Sequence, residues 1–264
     1  MNLKKTFLTA AGATVLLAGT ALADNNFTNL VQNGNGNSNI ADQTGNINES
    51  LLNQQGDNNS NDSSQTGDDN NYVLNQLGNG NDATVDQTGV QNDTNNWQNG
   101  DGNTANANQN GLLNDNDVFQ YTNGNTAGIT QIGEENYSIV VQDNGDNNSG
   151  SVSQNGFSND SELIQLGANN SAIIVQNGND NDVDAYSTGD DNTNNVSQIG
   201  GDSNYSISVQ NGDFHTVSLL QNGFVNYSDS LQNGFGQSYT GTQAGTGNLS
   251  NVVQNPGASN SNTE

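Results

Sequence analysis

Hydrophobic and amide residues recur at alternate positions along this chain, and the pattern repeats about every eleven residues. The unit Asn81-x-Ala83-x-Val85-x-Gln87 is typical: Asn, a small residue, an aliphatic residue and Gln are separated by single residues. Alternate side chains of a β-strand point to the same face. Each unit therefore predicts one strand whose Asn, small, aliphatic and Gln side chains face inward.

The glutamines keep this spacing for most of the chain, with a slip of one residue before Gln154 and another before Gln210. Ser187 takes the place of Gln at one position. Self-similarity at a fixed period is the signature of a stacked repeat. The series comprises Gln32, Gln43, Gln54, Gln65, Gln76, Gln87, Gln98, Gln109, Gln120, Gln131, Gln142, Gln154, Gln165, Gln176, Gln198, Gln210, Gln221, Gln232, Gln243 and Gln254.

Two further series accompany the glutamines. An Asn stands six residues before the Gln in almost every unit, with His215 and Gln237 as the exceptions, and a Gly follows the Gln by two residues in most units. Gly supplies the positive-φ backbone that a tight corner needs. The ladder candidates are Asn37, Asn48, Asn59, Asn70, Asn81, Asn92, Asn103, Asn114, Asn125, Asn136, Asn170 and Asn181, and the corner candidates are Gly34, Gly45, Gly56, Gly67, Gly78 and Gly89.

Two such units make one coil of about 22 residues, so the predicted fold class is all-β: a β-solenoid of about ten two-strand coils with two facing parallel sheets. A buried amide without a hydrogen bond costs roughly 1–3 kcal/mol. Identical amides stacked at a strand spacing of ~4.8 Å can each donate to one neighbour and accept from the other. We therefore expect the Asn and Gln series to form ladders along the stack.

Composition by itself would favour disorder, because the chain is 29% hydrophobic and has a formal net charge of -26. The sustained register favours instead a repeat that is folded or folds on assembly. The carboxylates occupy outward positions, corners or the chain ends, and none falls at an inward position. This placement agrees with the assignment of faces, since an unpaired buried charge is very costly.

The first residues have the pattern of a signal peptide over 1–23. Lys4 and Lys5 precede a short apolar run, and Ala21-Leu22-Ala23 is a small-residue cleavage site. The apolar run is too short to span a bilayer. We expect a secreted chain without membrane insertion, with a repeat domain over 24–258 and a polar tail over 259–264.

Removal of this segment leaves no Lys or Arg. Such a chain cannot neutralise phosphates, which excludes ordinary nucleic-acid binding. The chain also contains no Cys, so disulfides and thiol chemistry contribute nothing.

The segment Gln76-x-Gly78-x2-Asn81-x-Ala83-x3-Gln87 recurs with the same spacing from Gln165 to Gln176. It is similar to the central part of the repeat of curlins, the subunits of bacterial curli fibres, which runs roughly Ser-x5-Gln-x-Gly-x2-Asn-x-Ala-x3-Gln. The resemblance covers about residues 26–258.

This resemblance implies a β-solenoid subunit of an extracellular functional amyloid at the surface of a bacterium, as part of a fimbrium. It also implies export through a dedicated outer-membrane pore and nucleation by a minor subunit. Two features depart from familiar curlins, which carry about half as many repeats and have a glycine-rich segment before the first one. Here only Asp24-Asn25 lies between the signal peptide and Asn26.

Polymerisation is also expected from the repeat itself, because a solenoid has an open strand edge at each end. No capping element is recognisable at Phe27–Val31, and a short polar segment with the only Pro, Pro256, follows Gln254. Edges with matching ladders can add end to end as a homopolymer fibre. The acidic groups are expected to slow this assembly by repulsion.

The two outer faces are expected to differ. Odd-numbered units place aromatic residues outward, such as Trp97 and Tyr205, whereas even-numbered units place mostly Ser, Thr and Asp outward, as at Thr84 and Thr240. The semi-apolar face is a candidate for lateral bundling or adhesion in a biofilm matrix. Ordinary strand propensity explains the same residues equally well.

No pattern indicates an enzyme, a cofactor or a metal site. His215 occupies an Asn position, and the segment Asp180-x-Asp182-x-Asp184 lacks the glycine of a calcium loop, because Ala185 stands in that place. Two other functions remain open beside the fibre subunit. One is a monomeric solenoid that binds ice, glycan or mineral through its Ser/Thr face, and the other is an acidic surface protein that binds calcium.

Overall fold

The computed structural model describes residues 25–255 and, beyond them, the strands over 5–11, 14–15 and 261–263. The rest of the predicted signal peptide and of the predicted tail lies outside the described residues, as does Pro256.

Every element of the described part of the chain is a β-strand. The first twelve are β1 (Lys5–Ala11), β2 (Thr14–Val15), β3 (Phe27–Asn33), β4 (Ser38–Thr44), β5 (Glu49–Gln55), β6 (Ser60–Asp68), β7 (Asn71–Leu77), β8 (Asp82–Val90), β9 (Asp93–Asn99), β10 (Thr104–Leu112), β11 (Asp115–Gln120) and β12 (Thr126–Glu134). The second twelve are β13 (Tyr137–Asp143), β14 (Ser149–Phe157), β15 (Asp160–Leu166), β16 (Ser171–Asn177), β17 (Asp182–Thr188), β18 (Thr193–Ile199), β19 (Tyr205–Asp213), β20 (Thr216–Phe224), β21 (Tyr227–Phe235), β22 (Ser238–Thr246), β23 (Leu249–Gln254) and β24 (Ser261–Thr263).

These strands belong to two compact units, Met1–Glu134 and Glu135–Glu264. The odd strands of the first unit pair in the order β1-β3-β5-β7-β9-β11, and its even strands in the order β2-β4-β6-β8-β10-β12. The second unit repeats this with β13-β15-β17-β19-β21-β23 and β14-β16-β18-β20-β22-β24. Successive strands thus alternate between two parallel sheets, and the predicted all-β solenoid of about ten turns is confirmed.

Strand register places equivalent residues over one another. In β8 and β10, Ala83 pairs with Ala105 and Gln87 with Gln109. A slip of one residue would turn every inward side chain outward. The two slips of the sequence period fall in corners, over residues 144–148 and 200–204, so that the strands on either side keep their alignment.

The core between the sheets is thin and combines Ala and aliphatic side chains with buried Asn, Gln and Ser, but two tyrosines depart from the expected small residues. Tyr72 and Tyr239 are completely buried. The Tyr72 hydroxyl donates to Asn61 Oδ1 at 2.9 Å, and the Tyr239 hydroxyl lies 3.1 Å from Ser250 Oγ. Gly241 leaves the space that Tyr239 fills, since a Cβ at Gly241 would lie 2.3 Å from the Tyr239 hydroxyl oxygen.

The corners bring the backbones of successive turns together. Gly89 has a φ of 127°, and a Cβ there would lie 1.8 Å from the carbonyl oxygen of Gly111 in the next turn. Gly102 also has a positive φ, 68°, but a Cβ at Gly102 would point into open space, with nothing within 4 Å. The first type of glycine is required by contact and conformation together, and the second by conformation alone.

The variants Gly89→Ala and Gly102→Ala separate these two requirements. We expect Gly102→Ala to lower the free energy of unfolding by about 1 kcal/mol, the cost of a left-handed residue. Gly89→Ala should lower it by more than ~3 kcal/mol, because the corner backbone must also move. Urea unfolding followed by circular dichroism measures both, and equal losses would contradict the close stacking of the corners.

Candidate functional site

The Gln side chains form hydrogen-bonded ladders inside each unit. All glutamines of the series are buried except Gln43, which is half-buried. Along a ladder, Nε2 donates to the Oε1 atom of the Gln one turn later, for example from Gln54 to Gln76 at 2.9 Å and from Gln154 to Gln176 at 2.9 Å. The amides therefore link one turn to the next.

The same amides also tie the two sheets together, which the sequence period did not reveal. Gln76 Nε2 donates to the carbonyl oxygen of Ser60 at 2.9 Å, and Gln221 Nε2 donates to that of Tyr205 at 3.0 Å. Each acceptor is the first residue of the preceding strand, which belongs to the opposite sheet. Both N–H groups of one amide are thereby used, one along the stack and one across the core.

The Asn residues lie at the ends of corners, directly before the strands. All twelve candidates from Asn37 to Asn181 are buried. Asn37 Oδ1 accepts from the backbone N–H of Asn59, one turn later, at 2.8 Å, and Asn37 Nδ2 donates to the Gly56 carbonyl oxygen at 2.8 Å. The Asn ladder thus holds the corner glycines of the next turn, and the six glycine candidates from Gly34 to Gly89 all have positive φ.

Two substitutions keep the ladders connected. Ser187 donates its hydroxyl to Gln210 Oε1 at 2.8 Å. His215 Nδ1 accepts from the backbone N–H of Gln237 at 3.3 Å, and its Nε2 lies 3.2 Å from the Asn211 carbonyl oxygen. With its proton on Nε2, the imidazole makes the bonds that Asn makes elsewhere.

The corners after β3, β5, β7, β9 and β11 carry alternating Asn and Asp, an arrangement that the eleven-residue period concealed. The residues are Asn35, Asp57, Asn79, Asp101 and Asn123. From Asp57 onward, each Oδ1 accepts from the backbone N–H one turn earlier: Asp57 Oδ1 accepts from Asn35 N–H at 2.7 Å, and Asn79 Oδ1 accepts from Asp57 N–H at 2.9 Å. Alternation puts an amide between successive carboxylates, which reduces repulsion along the corner.

Carboxylates cluster instead on the outer face of the odd strands. Burial raises the pKa of Asp115 to about 6, with further contributions from the charges of Asp117 and Asp93. Burial likewise raises the pKa of Asp182 to about 6, aided chiefly by Asp184. No Lys or Arg follows Lys5 in the sequence, so no basic side chain of the repeats offsets these charges.

Within residues 25–255, no group of three or more acidic or histidine side chains is arranged to hold a metal ion. No helix in the part of the chain that the structure describes is long and apolar enough to cross a membrane.

The family model described as "Curlin associated repeat" matches residues 145–176. The match spans β14, β15 and β16, where the Gln ladder and the corner glycines have the geometry given above. The resemblance to the curlin repeat is therefore confirmed for residues 145–176, which lie within a β-solenoid. Proteins of this family are extracellular or associated with the cell surface. Comparison with curated proteins gave no match.

The energetic role of the ladder can be measured by Gln87→Glu. Gln87 Nε2 donates to the Asn71 carbonyl oxygen at 2.8 Å and to Gln109 Oε1 at 3.0 Å. A carboxylate would direct acceptor atoms at these acceptors, and we expect a loss of more than ~4 kcal/mol in the free energy of unfolding. The control Gln55→Glu, at an exposed position, should change it by no more than ~0.5 kcal/mol. Similar losses in the two urea titrations would show that the ladder contributes little.

The raised pKa values predict that stability falls as pH rises. The folded chain holds the protons of Asp115 and Asp182 more tightly than an unfolded chain, in which the pKa is 3.8. Stability is therefore greatest below pH ~4, decreases up to pH ~6 and is lowest above it. Asp115→Asn and Asp182→Asn should raise Tm at pH 7 and leave it nearly unchanged at pH 3.5. The exposed Asp86→Asn is the control, and an equal rise at both pH values would contradict the prediction.

Proposed function

We propose that this chain is the structural subunit of an extracellular curli-like amyloid fibre, which grows by end-to-end stacking of its Gln- and Asn-laddered coils. One observation supports the proposal most directly: the first Gln of the ladder has a side-chain oxygen that accepts no hydrogen bond. Gln32 Oε1, in β3, is buried and has no hydrogen-bond partner. Every following Gln of that ladder in the first unit accepts from the Gln one turn earlier, as Gln54 accepts from Gln32 at 2.5 Å. A donor supplied by another copy would satisfy Gln32.

The direction of the ladder defines how two copies would meet. Because each Gln donates to the Gln of the next turn, the residue that completes Gln32 must come from the C-terminal end of another copy. Gln254 occupies that position in β23, the last of the odd strands in the described part of the chain. Pairing of β23 with β3 of the next copy would repeat the parallel register of β21 and β23, where Gln232 aligns with Gln254.

The edge of β3 is competent to accept a parallel strand. In the full chain, Lys5–Ala11 pairs with β3 so that Ala10 aligns with Gln32. Cleavage of the predicted signal peptide would remove this strand and leave the edge to another copy. Signal-peptide removal would then couple export to the ability to polymerise.

The positions of the acidic side chains favour association of the C-terminal end of one copy with the N-terminal end of another. Residues 230–255 contain no charged side chain, whereas Asp42 and Glu49 lie in the first turn that follows β3. The strands within residues 230–255 therefore add no carboxylate to those already present at the N-terminal end, and Glu264 lies beyond that segment.

The role of the fibre outside the cell is inferred from the curlin repeat. We infer a structural and non-catalytic protein of the cell surface, which contributes to biofilm matrix and adhesion. A minor nucleating subunit and an outer-membrane pore are its proposed partners. The curlin repeat and the solenoid support this role, and the buried ladders provide the repeating surface that a fibre requires.

The Ser/Thr face gives weaker support to a monomeric binding protein. In the second unit, Ser149, Ser171, Thr193 and Thr216 align in one column at the strand starts. The adjoining column contains Ile173, so the hydroxyls do not extend into a regular two-dimensional array. Recognition of ice or a mineral lattice would require such an array.

Fibre growth tests the proposed end contact. Gln32→Leu removes the unused acceptor, and Gln254→Leu removes its proposed donor. Each should slow elongation from wild-type seeds at least tenfold. The control Gln120→Leu carries the same change inside the stack and should elongate nearly as wild type once monomer stability is matched.

Electron microscopy and fibre diffraction on the cleaved chain, with and without Ca²⁺, complete this test. Filaments with a reflection near ~4.7 Å along their axis are expected in both conditions. Wild-type elongation by Gln32→Leu, or a monomer that stays soluble at high concentration, would refute the proposal.

A further inference from the structure

A shallow groove crosses the outer face of β3, β5, β7 and β9, all within the first unit. Its volume is ≈ 400 Å³. Leu51 and Val73, which align in neighbouring strands, contribute its apolar surface. Four strands span three spacings of ~4.8 Å, so the groove extends about 14 Å along the stack. It lies wholly on the face of one subunit.

The polar side chains that line this groove are mainly the amides of Asn residues. Asn53, Asn75 and Trp97 align one above the other in β5, β7 and β9. Asn53 Nδ2 donates to Asn75 Oδ1 at 2.9 Å, which fixes the two side chains relative to each other. Asn53 Oδ1 is buried and has no hydrogen-bond partner, so a ligand hydroxyl that displaces the covering side chains gains an acceptor that is otherwise unused.

Trp97 supplies an aromatic surface at one end of the groove. Its side chain is 36% exposed although it is the largest apolar side chain of the chain. An indole ring offers a flat face to apolar C–H groups and a single N–H donor at its edge.

The charge and polarity of the side chains that line the groove indicate which class of ligand it binds. No carboxylate lines it, in a chain with 28 acidic residues, so a cation has no counter-charge there. An anion has none either, because the repeats contain no Lys or Arg. A purely apolar ligand would bury the amides without hydrogen bonds, at a cost of roughly 1–3 kcal/mol each. Neutral sugars combine hydroxyls for the amides with C–H faces for the indole.

We propose that this groove binds a neutral, extended polysaccharide chain, which stacks on Trp97 and hydrogen-bonds to Asn53 and Asn75. The groove crosses four strands over about 14 Å, a length that suits an extended chain. Binding is a property of the folded subunit and does not depend on the proposed fibre function. The Gln32→Leu variant should bind sugar as wild type does, even if it fails to elongate.

Trp97 is the only tryptophan of the chain, so its fluorescence reports directly on the groove. Cellohexaose serves as the soluble probe, added to the cleaved chain kept monomeric by low concentration. We expect a saturable blue shift that is insensitive to salt, because no charge is involved. Absence of a saturable change at millimolar cellohexaose would overturn the proposal.

Variants are compared by co-sedimentation with microcrystalline cellulose. Trp97→Ala should weaken binding about tenfold, Asn75→Ala should weaken it severalfold, and Trp97→Tyr should restore most of it by returning a ring. The matched control is Tyr205→Ala, which removes an outward aromatic residue of the second unit. Equal weakening by Tyr205→Ala would contradict the assigned site, and circular dichroism verifies that each variant is folded.

A second copy of the chain is the competing occupant of this face. In that case the fluorescence of Trp97 would change with protein concentration and not with cellohexaose, and Trp97→Ala would reduce lateral bundling of filaments. This result would refute the proposed sugar site while leaving end-to-end growth intact. Stronger binding of the anionic polymer polygalacturonate than of cellulose would refute it as well.

Discussion

The structure depends on continuity of hydrogen bonding between buried side-chain amides. A primary amide has two donors and an acceptor, and in this core a Gln such as Gln54 uses one donor along the stack and the other across it. The thin core buries little apolar surface, since many inward positions are Ala, Ser or Asn. The amides supply the specific contacts that a larger hydrophobic core would otherwise provide, and each turn is stabilised by the neighbours that complete these bonds.

This dependence explains why polarity is tolerated inside but charge is not. No Asp or Glu is among the buried residues of the part that the structure describes. Carboxylates lie on the outer faces of the strands or in corners, and in the corners that follow the odd strands of the first unit they alternate with amides. Asn and Asp both provide a side-chain oxygen that accepts from the backbone N–H of the preceding turn. A column that alternates the two therefore carries about half the negative charge of a column made only of Asp.

Much of the fold followed from residue spacing. The period of eleven predicted the strands and corners, because Gln87 and Gln109 could share a face only if the chain returned in register. The second bond of each Gln was not predictable, because it ends on a backbone carbonyl that has no residue signature, such as that of Ser60. Tyr72 and Tyr239 were likewise hidden, since the room they occupy depends on the size of neighbouring inward residues, such as Gly241. The groove beside Trp97 is visible only when four strands are aligned.

The two insertions in the period lie in corners, and the strands that flank them remain aligned. A corner therefore tolerates an extra residue, whereas the register of the strands is kept. A gene encoding such a chain can gain or lose whole 22-residue turns by duplication or deletion without disturbing the turns that remain. The length of the subunit is therefore a quantity that evolution can adjust one turn at a time.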